Sequence, residues 1–149
     1  MSEKGLNLMS PLDKELLNRK VKLIEEDLAK LAEFEKITLD EYIQSLEIKL
    51  QVERLLERIV GRVIDINYHI LKEEFNTIPS DYYKSFTELG ERSEIDRSFA
   101  EEIADSTGLR NALAHEYDSI DDTQIYLSIK KCLTQIPKYL DAILSKYSD

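Results

Sequence analysis

The sequence predicts an all-α protein, an up-and-down bundle of four to five helices, on three observations. Apolar residues return every three or four positions over long stretches, the spacing of one helix face. Only four glycines and three prolines interrupt 149 residues. The charged fraction is 34% against 42% hydrophobic, the balance expected when each of several amphipathic helices keeps one face in water.

The elements follow in order. Residues 1–11 read as a leader ending at Pro11. The first helix starts at Asp13 or Ser10 and runs to about Lys36, with Leu16, Leu17, Val21, Ile24, Leu28, Leu31 and Phe34 recurring at helical spacing. Thr38 with Glu41 three residues later forms a capping box, which opens a second helix from Leu39 to Phe75. Its two adjacent apolar stripes make a sector too broad for one neighbour. It is therefore expected to be the spine of the bundle, with surface left over for a dimer contact. Gly61 within it is expected to admit another backbone. After a break at Pro79, Ser80 is expected to cap a short helix carrying Tyr82, Tyr83 and Phe86 onto the core, with Gly90 as its stop. A fourth helix starts near Asp96 and is weakened at Ser106-Thr107-Gly108. Asp121 with Gln124 starts the last helix, where Pro137 predicts a kink or break. The chain is expected to form a single domain over 1–149.

Composition narrows the classes. A lone cysteine, Cys132, excludes an intrachain disulfide and is expected in the core. No apolar run reaches the roughly 18 residues that span a bilayer, and no signal peptide is visible, so a cytoplasmic location away from membranes is expected. The His and Cys spacing fits no zinc site, and no Gly-rich phosphate loop occurs. Neither a metal nor a cofactor is expected. His69 is expected to pair with Asp65, and Glu25-Glu26-Asp27 to form a wet face. A net charge of −10 opposes indiscriminate binding to nucleic acid. Yet six of the seven arginines fall between Arg54 and Arg110, and arginine is the side chain that grips phosphate through two bonds.

The chemistry concentrates in the stretch RNALAHEY, Arg110 to Tyr117. On a helix Arg110 and His115 are about 140° apart and about 7.5 Å apart along the axis. A long arginine stem lets both reach one phosphate-sized anion across the helix end. Imidazole is the acid/base group that titrates near neutrality, so His115 reads as general acid/base and Arg110 as phosphate clamp. Asn111 shares a face with His115 and is placed to orient the ring or a ribose.

Arg-x4-His-x-Tyr, with Asn directly after the Arg, resembles the signature of HEPN-domain ribonuclease toxins of the HepT type, the Tyr two residues after the His being the narrowing feature. The matching positions are Arg110, Asn111, His115 and Tyr117. The resemblance implies a HEPN-like bundle, a toxin–antitoxin pairing with a minimal nucleotidyltransferase, and a homodimer whose paired motifs line one cleft. It also implies neutralisation by AMPylation of Tyr117. The expected reaction is metal-independent cleavage of an RNA substrate through its own 2′-hydroxyl, leaving a 2′,3′-cyclic phosphate. Arg54, Arg58 and Arg62 are candidate RNA-backbone contacts. The alternative is a non-catalytic HEPN-like binding module that docks a nucleotidyltransferase or nucleotide.

Overall fold

The computed structural model describes residues 12–115 and 120–147, so the leader 1–11 and Tyr117 lie outside the described residues. Among the described residues there are seven helices and no strand: α1 Lys14–Ala32, α2 Leu39–Gln44, α3 Leu46–Phe75, α4 Tyr82–Glu91, α5 Arg97–Ala104, α6 Ser106–His115 and α7 Asp122–Tyr147. Helix α3 is the spine and packs on α1, α2, α4, α6 and α7. None of the described helices is long and apolar enough to cross a membrane.

Local chemistry explains most boundaries. Asp13 caps α1 by accepting from the Leu16 N–H at 3.0 Å. The capping box at Thr38 is complete: the Thr38 N–H donates to Glu41 Oε1 at 2.8 Å, and the Glu41 N–H donates to Thr38 Oγ1 at 3.1 Å. The expected single helix from Leu39 to Phe75 is two. Ser45 turns to extended backbone, and its hydroxyl accepts from the Ile48 N–H at 3.1 Å, starting α3 afresh. Asn76, at φ 50°, ends α3 in the left-handed conformation that suits Asn.

The cap of α4 is Asp81 rather than Ser80, through the Lys84 N–H at 2.8 Å. Gly90 does not stop that helix. It lies inside α4, where a Cβ would meet the Ala100 Cβ at 2.6 Å, so it is the position that lets α4 and α5 approach. Gly61 is the reverse case: a Cβ there meets nothing within 4 Å, and no backbone packs against it. Asp105 separates α5 from α6, one residue before the expected weak point. Pro137 sits inside α7 without breaking it.

The broad apolar sector of α3 is consumed inside the chain. Val52, Leu56, Ile59, Val63, Ile66, Ile70 and Leu71 are buried in the common core, while Leu46 and Leu50 in its opening turns stay exposed. The sector therefore leaves little for a second copy. Cys132 is buried in the core, and burial pushes its thiol up to about 12.

A buried polar chain crosses this core. Tyr139 of α7 donates to Asn67 Oδ1 of α3. Asn67 Nδ2 donates to Ser85 Oγ at 3.1 Å, and Ser85 Oγ donates to the Tyr82 carbonyl at 2.7 Å. Each group satisfies the next, so three helices are fixed in mutual register without an orphaned amide. The chain ends at the first turn of α4, and that turn borders the candidate site.

Candidate active site

Helix α6 carries the motif on a light mounting. Of its residues only Thr107 and Leu113 are buried, and its principal neighbour is α3. This leaves Asn111 and His115 exposed and Arg110 half-buried.

Arg110 reaches back across the groove between α3 and α4. Its guanidinium carbon lies 5.1 Å from the centroid of the Tyr82 ring, within cation–π range. It makes no salt bridge among the described residues, Asp105 included; Glu116, the other carboxylate beside it in sequence, lies outside the described residues. The cleft it borders is walled by Gly61, Ile64, Asp65, Tyr68 and Tyr82. Bare backbone at Gly61 keeps that cleft open. Asp65, the carboxylate on that wall, is paired with Lys20 at 2.9 Å.

Asn111 faces a second cleft on the other side of the same tyrosines, bordered by Tyr68, Asp81, Tyr82, Tyr83 and Thr107. His115, the last residue of α6, belongs to neither wall and has no partner among the described residues. One chain therefore places Arg110 and Asn111 on adjoining clefts and His115 at the helix end beyond them. Tyr117 follows outside the described residues.

The other candidates fall elsewhere. Arg58 Nε and Arg62 Nη1 both donate to Asp27 Oδ2, at 3.0 and 2.7 Å. Asp27 is buried rather than a wet-face residue. Two guanidiniums surround one sequestered carboxylate there, a structural arrangement that competes with phosphate for both arginines. Arg54 keeps 67% of its side chain exposed, with only a 3.4 Å contact to Glu57. His69 is not paired with Asp65; its Nε2 accepts the Asp13 N–H at 3.0 Å, which holds the start of α1. No group of three or more His, Cys, Asp or Glu among the described residues is arranged to hold a metal ion.

Sequence reasoning missed the tyrosines. Tyr82 and Tyr83 were expected on the core together with Phe86; only Phe86 is there, while Tyr82 and Tyr83 are 37% and 43% exposed. Helical spacing gave no warning: Tyr82 and Tyr83 lie four and three positions before Phe86, about 40° and about 60° to either side of it, so both share its face.

The comparisons agree with this architecture. A family model described as ribonuclease HepT-like matches residues 24–143, a span containing Arg110, Asn111, His115 and Tyr117. The chain is 39% identical over 137 residues to a tRNA nuclease HepT of Aphanizomenon flos-aquae (strain 2012/KM1/D3), covering 92% of this chain and 93% of that protein. Among solved structures, a toxin–antitoxin complex with AMP-PNP superposes with a TM-score of 0.80 at 20% identity, over 88% of this chain and 98% of that one. A tri-AMPylated Shewanella oneidensis HEPN toxin in complex with its MNT antitoxin gives 0.78 at 21% identity, over 87% and 97%. These two likenesses speak for the fold. With the family model matching most of the chain and a 39% identical relative covered almost end to end, the protein belongs to the ribonuclease HepT-like family.

Proposed function

We propose that this protein is the toxin of a toxin–antitoxin pair, an endoribonuclease that cleaves RNA without a metal ion. The observation that carries the reading is the state of Arg110: a guanidinium bound by no carboxylate among the described residues, resting on an aromatic face beside an open cleft. Five residues on, His115 stands exposed and unpartnered among the described residues. An RNA phosphate can displace an arginine from a tyrosine ring far more readily than from a buried carboxylate, because the competing interaction is weaker.

In the proposed reaction His115 takes the proton from a ribose 2′-hydroxyl, and that oxygen attacks the adjacent phosphorus. Arg110 stabilises the extra negative charge on the crowded phosphate. The bond from phosphorus to the 5′-oxygen breaks, and that oxygen leaves with a proton as a 5′-hydroxyl. The other product carries a 2′,3′-cyclic phosphate. Asn111 orients the ribose or the imidazole. Arg54 is the best placed of the three spine arginines for an outlying phosphate, since Arg58 and Arg62 are engaged by Asp27.

The reading includes a two-fold dimer. Because His115 is absent from the walls of both clefts, a second copy that brings its own α6 to the same RNA strand would complete the constellation. The name of the Aphanizomenon relative makes tRNA the first substrate to try. By analogy with the AMPylated Shewanella toxin, a partner nucleotidyltransferase would neutralise the protein by AMPylating Tyr117. Bulk and negative charge two residues from His115 would bar an RNA phosphate. A non-catalytic binding module is the second reading, favoured by the net charge of −10.

Incubating the full chain with tRNA in excess EDTA, beside His115→Ala and Arg110→Ala variants of unchanged melting temperature, tests the proposal. Cleavage by the wild type alone, with cyclic-phosphate ends, is the expected result. An intact tRNA pool with the wild type, or equal cleavage by His115→Ala, leaves the binding module. Mass spectrometry of the Tyr117 peptide after exposure to ATP, magnesium and the neighbouring nucleotidyltransferase tests the modification separately.

A further inference from the structure

The two clefts share a wall of tyrosine that the cleavage chemistry does not use. Tyr82 meets Tyr68 edge-on, with ring centroids 6.0 Å apart and planes at 80°, and Arg110 covers part of Tyr82. Tyr83 differs. Its side chain makes no hydrogen bond or ring contact with any described residue, although it is a large aromatic group 43% exposed on the rim of the second cleft. Exposed Asn111 lies across that cleft, its amide offering a donor and an acceptor side by side.

This wall is rigidly held. Asp81 caps the turn that carries both rings, and the buried chain from Tyr139 through Asn67 and Ser85 ends on the Tyr82 carbonyl. A solvent-facing ring on a capped turn, beside an exposed amide and next to a guanidinium bound by no described carboxylate, matches what an unpaired base requires. The ring supplies a π-face, the amide reads the base edge, and the backbone charge is met one step away.

We propose that Tyr83 is a stacking platform for an unpaired nucleobase next to the scissile phosphate, with Asn111 addressing the edge of that base. The proposal rests on the nuclease reading, since it is the phosphate at Arg110 that delivers the base. Tyr83 acts here as a binding and selecting residue, so single-stranded RNA is taken in preference to a paired helix, whose bases are not available for stacking.

The test uses the full chain carrying His115→Ala, so that RNA stays intact, and single-stranded RNA decamers with 2-aminopurine walked along the sequence. Fluorescence should be quenched at one or two positions. Adding Tyr83→Ala should abolish that quench and weaken binding roughly 5- to 100-fold, the scale of one lost base–aromatic stack. Tyr83→Phe should retain both, and Tyr83→Gln, which keeps bulk without a ring, should behave as Tyr83→Ala. Unchanged quench and affinity in Tyr83→Ala overturn the platform. So does a sedimentation experiment in which Tyr83→Ala dissociates a dimer, because the exposed ring then serves a contact between copies. Cleavage by the chain with His115 intact is scored separately. Cleavage without a Tyr83-dependent quench removes the platform and leaves the nuclease, whereas the quench without cleavage removes the nuclease and leaves the platform.

Discussion

Arg58 and Arg62 project from α3 onto Asp27, whereas Arg110 projects from α6 onto Tyr82. The side chains are chemically identical; what faces them is not. A buried carboxylate with two guanidiniums is a closed unit, because removing one member strands charge in the interior. A guanidinium on a tyrosine ring is held by a weaker, non-neutralising contact and keeps its full charge for an incoming anion. Clustering of arginines in the sequence made the two groups look like one basic groove. The structure separates them into a pair tied to a scaffold carboxylate and a guanidinium resting on a tyrosine ring beside an open cleft.

The comparison breaks most sharply at the catalytic end. His115→Ala should lower the rate of RNA cleavage by about 10²- to 10⁴-fold, and Arg110→Ala by roughly 10²-fold or more. Both should leave thermal stability within about 1 kcal/mol of wild type, as read by circular dichroism melts beside single-turnover kinetics. Asp27→Ala should do the opposite, destabilising the fold by about 3 kcal/mol while the surviving folded protein cleaves at an unchanged rate. If Asp27→Ala abolished cleavage without lowering the melting temperature, the division between the two arginine groups would be wrong.

The glycines provide a subtler version of the same contrast. Gly90→Ala forces a Cβ against Ala100 at 2.6 Å and should cost roughly 1–3 kcal/mol in a urea melt. Gly61→Ala meets open space and should be neutral or stabilising by up to about 1 kcal/mol. Cys132 gives an effect confined to alkaline pH. Its thiol, pushed up to about 12 by burial, binds its proton in the folded state where the unfolded chain has already lost it. Stability from this group is complete below an ordinary thiol value of about 8.5 and declines as pH rises from there toward 12. Unfolding midpoints at pH 8 and pH 10 should show the fall, and Cys132→Ala should flatten that part of it.

Much of the bundle was legible because its signals are local. Thr38 and Glu41 form the box that their spacing announces, and Asp13, Asp96 and Asp121 each cap the helix they precede. Ser45 was not legible as a break, since a serine amid helix-forming neighbours caps a new helix only when packing turns its backbone out. Pro137 misled in the other direction: α7 is anchored along its length by Ile129, Cys132, Ile136 and Leu140, and that burial overrides one missing hydrogen bond. At the site, residue types and their order on α6 could be read directly. The engagement of Arg62 with Asp27, 35 positions away, and the tyrosine wall depend on how helices distant in sequence meet.

The attachment of α6 has an evolutionary consequence. A segment held to its scaffold by two buried side chains, Thr107 and Leu113, can change its tilt when a position in the supporting groove changes, while the remaining six described helices keep their packing. Relatives can therefore reorient the exposed face of α6 through substitutions beneath it, leaving the side chains it presents unchanged.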